Sequence, residues 1–184
     1  MLKIGVIGYG GRTGDLIKDV LLELKLDVEI VAFTDLDEAA ARARMSHPRL
    51  HPETIRYYKT AREMLDSEEL DGCMIGTRCN THTPYAVEVL RRNIPLFLEK
   101  PVSTTIEDLR ALAAAGKATT AQTVVSFPLR TSGIVRKAKA IIDSGEIGEI
   151  QHVQAYNNVP YGGCYYHSWY RDESITGGLF LQKA

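Results

Sequence analysis

A glycine-rich loop near the amino terminus contains the first residues suited to chemistry. The loop runs from Gly8 to Gly14 and stands between an apolar segment and a stretch with helical spacing of apolar residues. Gly8 and Gly10 match the first two glycines of the pattern G-x-G-x-x-G/A, and Thr13 occupies the third position. In this pattern the backbone approaches a diphosphate closely at a helix amino terminus. We therefore expect a dinucleotide to contact Gly8, Gly10, Gly11, Arg12 and Thr13. The alternative is a strand-to-helix turn that binds nothing.

An acidic residue stands where a bound dinucleotide would place its ribose. Asp35 lies 21 residues after Gly14, at the end of the second apolar run. A carboxylate there can accept hydrogen bonds from the ribose hydroxyls and repels a 2′-phosphate, so we expect NAD in preference to NADP. Arg12 slightly weakens this preference because a guanidinium can bind a phosphate. Alternatively, Asp35 is a turn residue beside the helix cap that Asp37 supplies.

Alternating patterns predict the elements that position these residues. Short apolar runs predict strands at 2–7, 28–33, 71–76, 94–98 and 123–127. Amphipathic stretches predict helices at 14–24, 37–44, 83–92 and 104–117 and a short helix near 60–64. The expected caps are Asp37, Thr60 with Glu63, Thr83, and Thr104 with Glu107. This alternation predicts an α/β fold with a doubly wound parallel sheet of the Rossmann type.

The pattern changes after Phe127, where we place a domain boundary. A helix is expected at 132–144, and Gly145 is placed to end it in a left-handed conformation. A strand is expected at 149–157 because apolar and polar residues alternate there. The chain therefore divides into a dinucleotide-binding domain, 1–127, and a second segment, 128–184.

Composition and charge exclude several classes of protein. The 184 residues are 45% hydrophobic and 24% charged, as in ordinary globular proteins, and their formal net charge is −1. We expect no nucleic-acid partner because there is no basic excess, and no membrane span because no apolar run approaches about 18 residues. Three cysteines without CxxC spacing favour reduced thiols and a cytoplasmic location. No metal site is expected, since Pro48 interrupts the pair His47 and His51.

A more specific motif, Glu99-Lys100-Pro101, ends the fifth predicted strand. With the glycine loop, Asp35, the loop 76–82, the turn SGEIGEI at 144–150 and Gly177-Gly178-Leu179, it resembles the glucose-fructose oxidoreductase / inositol dehydrogenase (Gfo/Idh/MocA) family over nearly the whole chain. The resemblance implies an NAD(P)-dependent dehydrogenase that transfers hydride between a nicotinamide and a C–OH or C=O of a sugar, cyclitol or related polyol. It also implies a carboxyl-terminal truncation, with 128–184 the incomplete first part of an α+β substrate and oligomerisation domain.

The resemblance assigns roles to the strand-end motif. Lys100 matches the family's active-site lysine, whose ammonium can polarise a carbonyl or assist proton transfer from an alcohol. Glu99 matches a cofactor-side glutamate that would orient Lys100, and a cis bond is expected before Pro101. The alternative for Glu99 and Lys100 is a surface ion pair.

The loop 76–82 resembles the family pattern T-P-N-x-x-H. Thr77 and His82 match this pattern, whereas Arg78 and Cys79 replace proline and asparagine. The resemblance implies that Thr77, Arg78 and His82 lie on the cofactor side. The alternative for His82 is a buried structural role.

Aromatic residues are concentrated near the end of the chain. Six of the 14 aromatics (9 Tyr, 4 Phe and 1 Trp) lie between 156 and 170, namely Tyr156, Tyr161, Tyr165, Tyr166, Trp169 and Tyr170. Flat rings with polar edges suit a sugar, and the expected substrate-binding residues are Arg130, Tyr156, His167 and Trp169. The alternative is an ordinary core or interface segment of the second domain.

The last residues depart from the family pattern. Gln182 stands where many members have aspartate, and Lys183 follows as a candidate second catalytic lysine. Two rival functions remain open: a non-catalytic NAD-binding module or inactive fragment, and a Rossmann-like domain for another adenosine ligand such as S-adenosylmethionine. The expected partner is a small molecule, and the chain could also form a homo-oligomer.

Overall fold

A parallel sheet lies at the centre of the computed structural model, which describes residues 1–158 and 162–183. The strands are β1 (Leu2–Ile7), β2 (Val28–Thr34), β3 (Arg56–Tyr57), β4 (Gly72–Ile75), β5 (Leu96–Leu98) and β6 (Thr123–Val125). Every neighbouring pair is parallel, and the order across the sheet is β3-β2-β1-β4-β5-β6. The chain thus winds from β1 towards both edges, which is a doubly wound Rossmann arrangement and confirms the predicted fold class.

Helices connect the strands and continue beyond the last one. They are α1 (Gly11–Leu16, continued as a π-helix over Ile17–Leu22), α2 (Glu38–Arg44), α3 (Ala61–Ser67), α4 (His82–Arg91), α5 (Ile106–Lys117), α6 (Gly133–Asp143), α7 (Gly163–Tyr166), α8 (Glu173–Thr176) and α9 (Leu179–Lys183). Short 3₁₀ turns lie at Cys79–Thr81, Pro128–Thr131 and Trp169–Arg171. None of the helices in the described ranges is long and apolar enough to cross a membrane.

Two apolar layers cover the faces of the sheet. Successive strand residues point to opposite faces, so Val6 packs with Phe33 while Ile7 packs with Leu98. The central strand β4 is buried along its whole length. Because both faces are covered, the accessible part of the sheet is the edge where the strands end.

Local signals predicted most helix starts, but two caps are wrong by one or two residues. Asp37 and Thr60 cap their helices as expected. Helix α4 starts after Thr81 rather than at Thr83, whose hydroxyl donates to the Val102 carbonyl at 2.8 Å. Helix α5 is capped by Thr105 rather than by Thr104. Thr105 accepts the amide of Asp108, whereas Thr81 makes no capping bond through its side chain.

Other differences arise where an element depends on its neighbours. The first helix starts at Gly11 rather than at 14 because the glycine loop itself turns into the helix. Strand β3 was not expected, since it has only two residues and is defined by pairing with β2. The strand expected at 149–157 is wrong: this segment has no ladder partner among the described residues. Alternation alone cannot make a strand, because the backbone needs a second chain to bond to.

Helix α6 and the residues that follow it are largely exposed. Gly145 ends α6 with φ +74°, as expected. None of the residues of α6 is buried, and Ile134 and Val153 are 80% and 79% exposed. Among the aromatics of this segment, Tyr161 lies outside the described residues.

Candidate active site

Four predicted positions come together at the carboxyl edge of the sheet. The amide of Gly8 donates to the Thr34 carbonyl at 2.8 Å, which places the glycine loop beside Asp35. On the other side, the amide of Gly76 donates to the Ile7 carbonyl and the amide of Glu99 to the Ile75 carbonyl, each at 3.0 Å. The edge therefore runs from Asp35 through the glycine loop and the loop after β4 to the Glu99-Lys100 pair. This is the topological switch point, where open α/β sheets bind ligands.

The glycine loop has the close packing that a dinucleotide-binding turn requires. Gly8 has φ +84°, and a Cβ atom there would lie 2.7 Å from Thr77 Cγ2. A Cβ on Gly10 would lie 3.9 Å from its nearest neighbour, and a Cβ on Gly11 would have none within 4 Å. The turn is therefore tight on the protein side and open at the start of α1, which fits the approach of a diphosphate.

Thr13 occupies the third motif position because Gly76 faces it. Thr13 is buried, and a Cβ atom on Gly76 would overlap the Thr13 Oγ1 atom. Gly14, the next glycine of the loop, is less tightly packed, since its Cβ would lie 3.4 Å from Tyr9 Cε1. The hydroxyls of Thr13 and Tyr9 are buried without a hydrogen-bond partner in the described residues.

Asp35 and Arg12 lie on opposite sides of the glycine loop. The Asp35 carboxylate is half-buried and accepts a hydrogen bond from the Asp37 amide at 3.1 Å. Arg12 instead donates through Nε to the buried Glu99 carboxylate at 3.2 Å. Arg12 is therefore engaged away from the ribose position, and Glu99 forms its ion pair with Arg12 rather than with Lys100. This arrangement fits a ribose with free hydroxyls at Asp35.

Lys100 is held over the end of the chain. The peptide bond between Lys100 and Pro101 is cis, as expected. The Lys100 ammonium donates to the backbone carbonyl of Gln182 at 2.7 Å. Burial is the main cause that lowers the pKa of Lys100, and the nearby Lys183 cation lowers it further, while Glu99 opposes both. Lys100 therefore releases a proton more readily than an exposed lysine does.

His82 connects the two loops that flank this lysine. Its Nδ1 atom lies 2.7 Å from the Pro101 carbonyl oxygen, and its Nε2 atom lies 3.2 Å from the Thr77 carbonyl oxygen. The side chain is buried, and burial lowers the pKa of His82 against the opposing effect of the two carbonyls. Both ring nitrogens thus face backbone oxygens, which favours the structural alternative for this residue.

The Gly-Gly turn brings the last helix beneath Lys100. Gly177 and Gly178 have φ values of +70° and +92°, and a Cβ on Gly177 would lie 2.6 Å from Leu181 Cδ2. The turn buries Gln182, whose side-chain amide lies 4.0 Å from Cys79 Sγ. Sequence reasoning noted Gln182 only as a departure from aspartate and missed that its backbone carbonyl binds Lys100.

The predicted substrate residues separate into two groups. Trp169 reaches the loop 76–82, because the Arg78 guanidinium lies 4.0 Å from the centre of its ring. The other three contact close sequence neighbours: Arg130 stacks on Phe127, Tyr156 is 79% exposed and accepts a hydrogen bond from Gln154, and His167 packs against Tyr166. The structure therefore brings Trp169, Arg78 and Lys183 towards the site and leaves Arg130, Tyr156 and His167 outside it. No group of three metal-ligating side chains forms in the ranges described.

Known proteins match the chain along its length. The family model described as "Oxidoreductase family, NAD-binding Rossmann fold" (GFO_IDH_MocA) matches residues 2–127. Inositol 2-dehydrogenase of Pseudomonas fluorescens (strain SBW25) is 30% identical over 179 residues, which are 97% of this chain and 51% of that protein. The chain spans about half the length of the curated relatives that it matches over most of its residues.

Two solved structures share the fold. Myo-inositol 2-dehydrogenase from Lactobacillus plantarum superposes with a TM-score of 0.85 at 24% identity, covering 99% of this chain and 52% of that one. Myo-inositol dehydrogenase from Lactobacillus casei, solved with NAD(H) and myo-inositol, has a TM-score of 0.72 at 27% identity, covering 80% and 43%. With the glycine loop, Asp35 and the Glu99-Lys100-Pro101 strand end in place, these matches show that the chain belongs to the Gfo/Idh/MocA family of NAD-binding oxidoreductases.

Proposed function

We propose that this chain supplies the NAD site and the catalytic lysine of a sugar or cyclitol dehydrogenase. The observation that carries the proposal is the position of Lys100. It lies two residues after β5, at the same edge as the glycine loop, and its pKa is lowered mainly by burial. A lysine in this place can reach a substrate that lies beside a nicotinamide held by the loop.

The residues of the edge would hold NAD from both ends. Gly8, Gly10 and Gly11 open the backbone towards the diphosphate, and Asp35 accepts hydrogen bonds from the adenosine ribose. When bound, NAD supplies the hydride acceptor for oxidation of a C–OH group. We place Thr77 and Glu99 nearest the nicotinamide, because both lie between the glycine loop and Lys100 along the edge.

Lys100 would accept the proton of the reacting hydroxyl and return it in the reverse reaction. Its amine is held by the Gln182 carbonyl, so the nitrogen is positioned before substrate arrives. A lowered pKa makes the neutral amine easier to form, and that amine can accept the hydroxyl proton as hydride leaves. In the reverse direction the ammonium donates a proton to the carbonyl oxygen. Lys183 is the second cation near this point, and we propose that it stabilises negative charge on the substrate oxygen.

The remaining assignments extend this proposal to the whole chain. We propose that 1–127 forms the NAD-binding domain and that 128–184 begins the substrate domain. The family match favours NAD over S-adenosylmethionine. A cytoplasmic location is supported by Cys73 and Cys79, which are free and buried. Homo-oligomer formation stays a prediction.

Lys100→Ala tests the chemical part of the proposal. NADH binding is measured first by nicotinamide fluorescence, and turnover of a panel of polyols is then followed by NADH absorbance. Removing the lysine should lower kcat by about 10²–10⁴-fold, as expected for loss of a general acid–base group, with NADH affinity little changed.

The control is Lys137→Ala, which removes an exposed lysine on α6 and should leave both measurements unchanged. A near-normal rate in Lys100→Ala would refute the role of this lysine. NADH binding without turnover of any polyol by the wild-type chain would instead identify a non-catalytic NAD-binding module. Absence of NADH binding would refute the proposal as a whole.

A further inference from the structure

A stack of cations and aromatic rings joins the cofactor loop to the end of the chain. The Arg78 guanidinium lies 4.0 Å from the centre of the Trp169 ring, and Trp169 stacks on Tyr170 at 3.9 Å with an interplanar angle of 25°. The Lys183 ammonium lies 5.6 Å from the centre of the Tyr170 ring and 4.6 Å from that of Tyr165. The two cations thus lie at opposite ends of one aromatic stack.

Three cations of this part of the site have no ion-pair partner among the described residues, although α8 also brings the carboxylates of Asp172 and Glu173 to this loop. Arg78, Lys100 and Lys183 form no ion pair in residues 1–158 and 162–183. The nearby carboxylate of Glu99 is occupied by Arg12 at 3.2 Å. A neutral polyol would leave these cations without a counter-charge, whereas an anionic group would complement them.

Arg78 has the geometry to supply the recognition. The guanidinium carbon lies over the Trp169 ring, and within the described residues its N–H groups make no hydrogen bond. The N–H groups lie in the plane of the guanidinium and bind carboxylate or phosphate oxygens in pairs. Because the ring already orients the group, less conformational freedom is lost when an anion binds.

The loop that carries Arg78 also contacts the residue that binds Lys100. Cys79, the next residue, lies 4.0 Å from the Gln182 amide, and the Gln182 carbonyl accepts the hydrogen bond from Lys100. The loop that carries Arg78 therefore packs against the residue that binds Lys100, and Lys183 is the next residue along the chain.

We propose that Arg78 binds an anionic group on the substrate, so that the substrate is a sugar or cyclitol bearing a carboxylate or a phosphate, with Trp169 as the positioning residue. The inference rests on the proposed function, since it concerns the substrate of the same site. It also reassigns Arg78 from the cofactor side to the substrate side.

Ligand-observed NMR titration of the NADH-loaded chain tests the proposal with D-glucose, D-glucuronate and D-glucose 6-phosphate. At least one acid should bind about tenfold or more tightly than glucose, as expected for a charge-assisted hydrogen bond. Arg78→Gln should reduce this preference to about twofold or less while NADH affinity stays unchanged. The tighter acid identifies a carboxylate or a phosphate as the group recognised.

Two further variants separate specific recognition from general effects. Arg110→Gln removes an exposed positive charge on α5 and should keep the preference for acids. Trp169→Ala should reduce the preference as Arg78→Gln does, and Trp169→Phe should restore it, because a flat ring again supports the guanidinium.

Three outcomes would overturn the inference and leave NAD binding intact. The first is equal affinity for glucose and both acids. The second is no binding of any of the three probes. The third is a preference for acids that persists in Arg78→Gln, or a loss of NADH affinity in that variant, which would return Arg78 to the cofactor side. If the wild-type chain does not bind NADH, the proposed function itself fails.

Discussion

Gly76 is the residue at which the glycine loop and the loop 76–82 touch. Its missing side chain makes room for Thr13, so the third position of the motif holds a threonine instead of a glycine. A pair of facing residues thus satisfies a packing requirement that a single glycine usually meets. The close approach of α1 to the sheet depends on both residues.

Gly76→Ala should lower the free energy of unfolding by about 1–3 kcal/mol, because the new methyl group overlaps the Thr13 hydroxyl. Thr13→Ala removes that hydroxyl, and the double variant should recover most of the loss. Urea denaturation of the single and double variants gives the coupling energy. Gly11→Ala is the control, since a Cβ there meets nothing within 4 Å. A double variant as unstable as Gly76→Ala would contradict this packing.

His82 should make the stability of the fold depend on pH. Burial lowers its pKa in the folded chain, so the unfolded chain binds the proton more readily. The stabilising contribution is present above the unfolded pKa of about 6.5 and is lost as pH falls below it. The free energy of unfolding should therefore decrease from about pH 7 to pH 5.

His82→Asn should flatten this pH dependence, which urea denaturation at several pH values measures. His51→Asn changes an exposed histidine and serves as the control. An unchanged slope in His82→Asn would show that another group is responsible for the pH dependence.

At the scale of elements, neighbouring residues compete to start helices. Thr104 and Thr105 both precede α5, and the sequence favoured Thr104 because Glu107 completes a capping box with it. In the structure the Thr105 hydroxyl accepts the Asp108 amide at 3.1 Å. The sequence predicted that a helix starts here, and only the structure decided which threonine caps it.

Thr105→Ala should therefore destabilise the protein by about 1 kcal/mol through loss of the cap. Thr104→Ala is the matched control and should change the free energy of unfolding by less than about 0.5 kcal/mol. Thermal or urea unfolding distinguishes the two variants. If Thr104→Ala destabilised the protein more than Thr105→Ala, Thr104 would be the cap, as the sequence predicted.

At the scale of the whole molecule, the two parts of the chain differ in how much they bury. The sheet of 1–127 is covered on both faces, whereas α6 has an apolar face that nothing in the described residues covers. Ile134 and Ile142 on this helix are 80% and 44% exposed. Exposed apolar patches of this kind mark interfaces, so we predict that a homo-oligomer would form through α6.

Ile134→Glu with Ile142→Glu should weaken self-association, since two charges would have to be buried in the interface. Sedimentation velocity over a range of concentrations measures this effect. The free energy of unfolding should change by less than about 0.5 kcal/mol, because both side chains are already exposed. The control is Lys137→Glu, which changes charge elsewhere on the same helix surface. If the wild-type chain, the double variant and Lys137→Glu self-associated equally, α6 would be excluded as the interface.

The sequence by itself determined the local elements and the residue types at the sheet edge. Periodicity predicted five of the six strands, and spacing placed Gly8, Asp35 and Lys100 at strand ends, because these signals depend only on neighbouring residues. It failed at 149–157, where a strand needs a partner that the local pattern does not contain. Only the tertiary structure decided that the Gln182 carbonyl binds Lys100, 82 residues away, and that Arg78 stacks on Trp169. Such contacts depend on how the whole chain returns to the sheet edge, and that path is set by long-range packing rather than by local pattern.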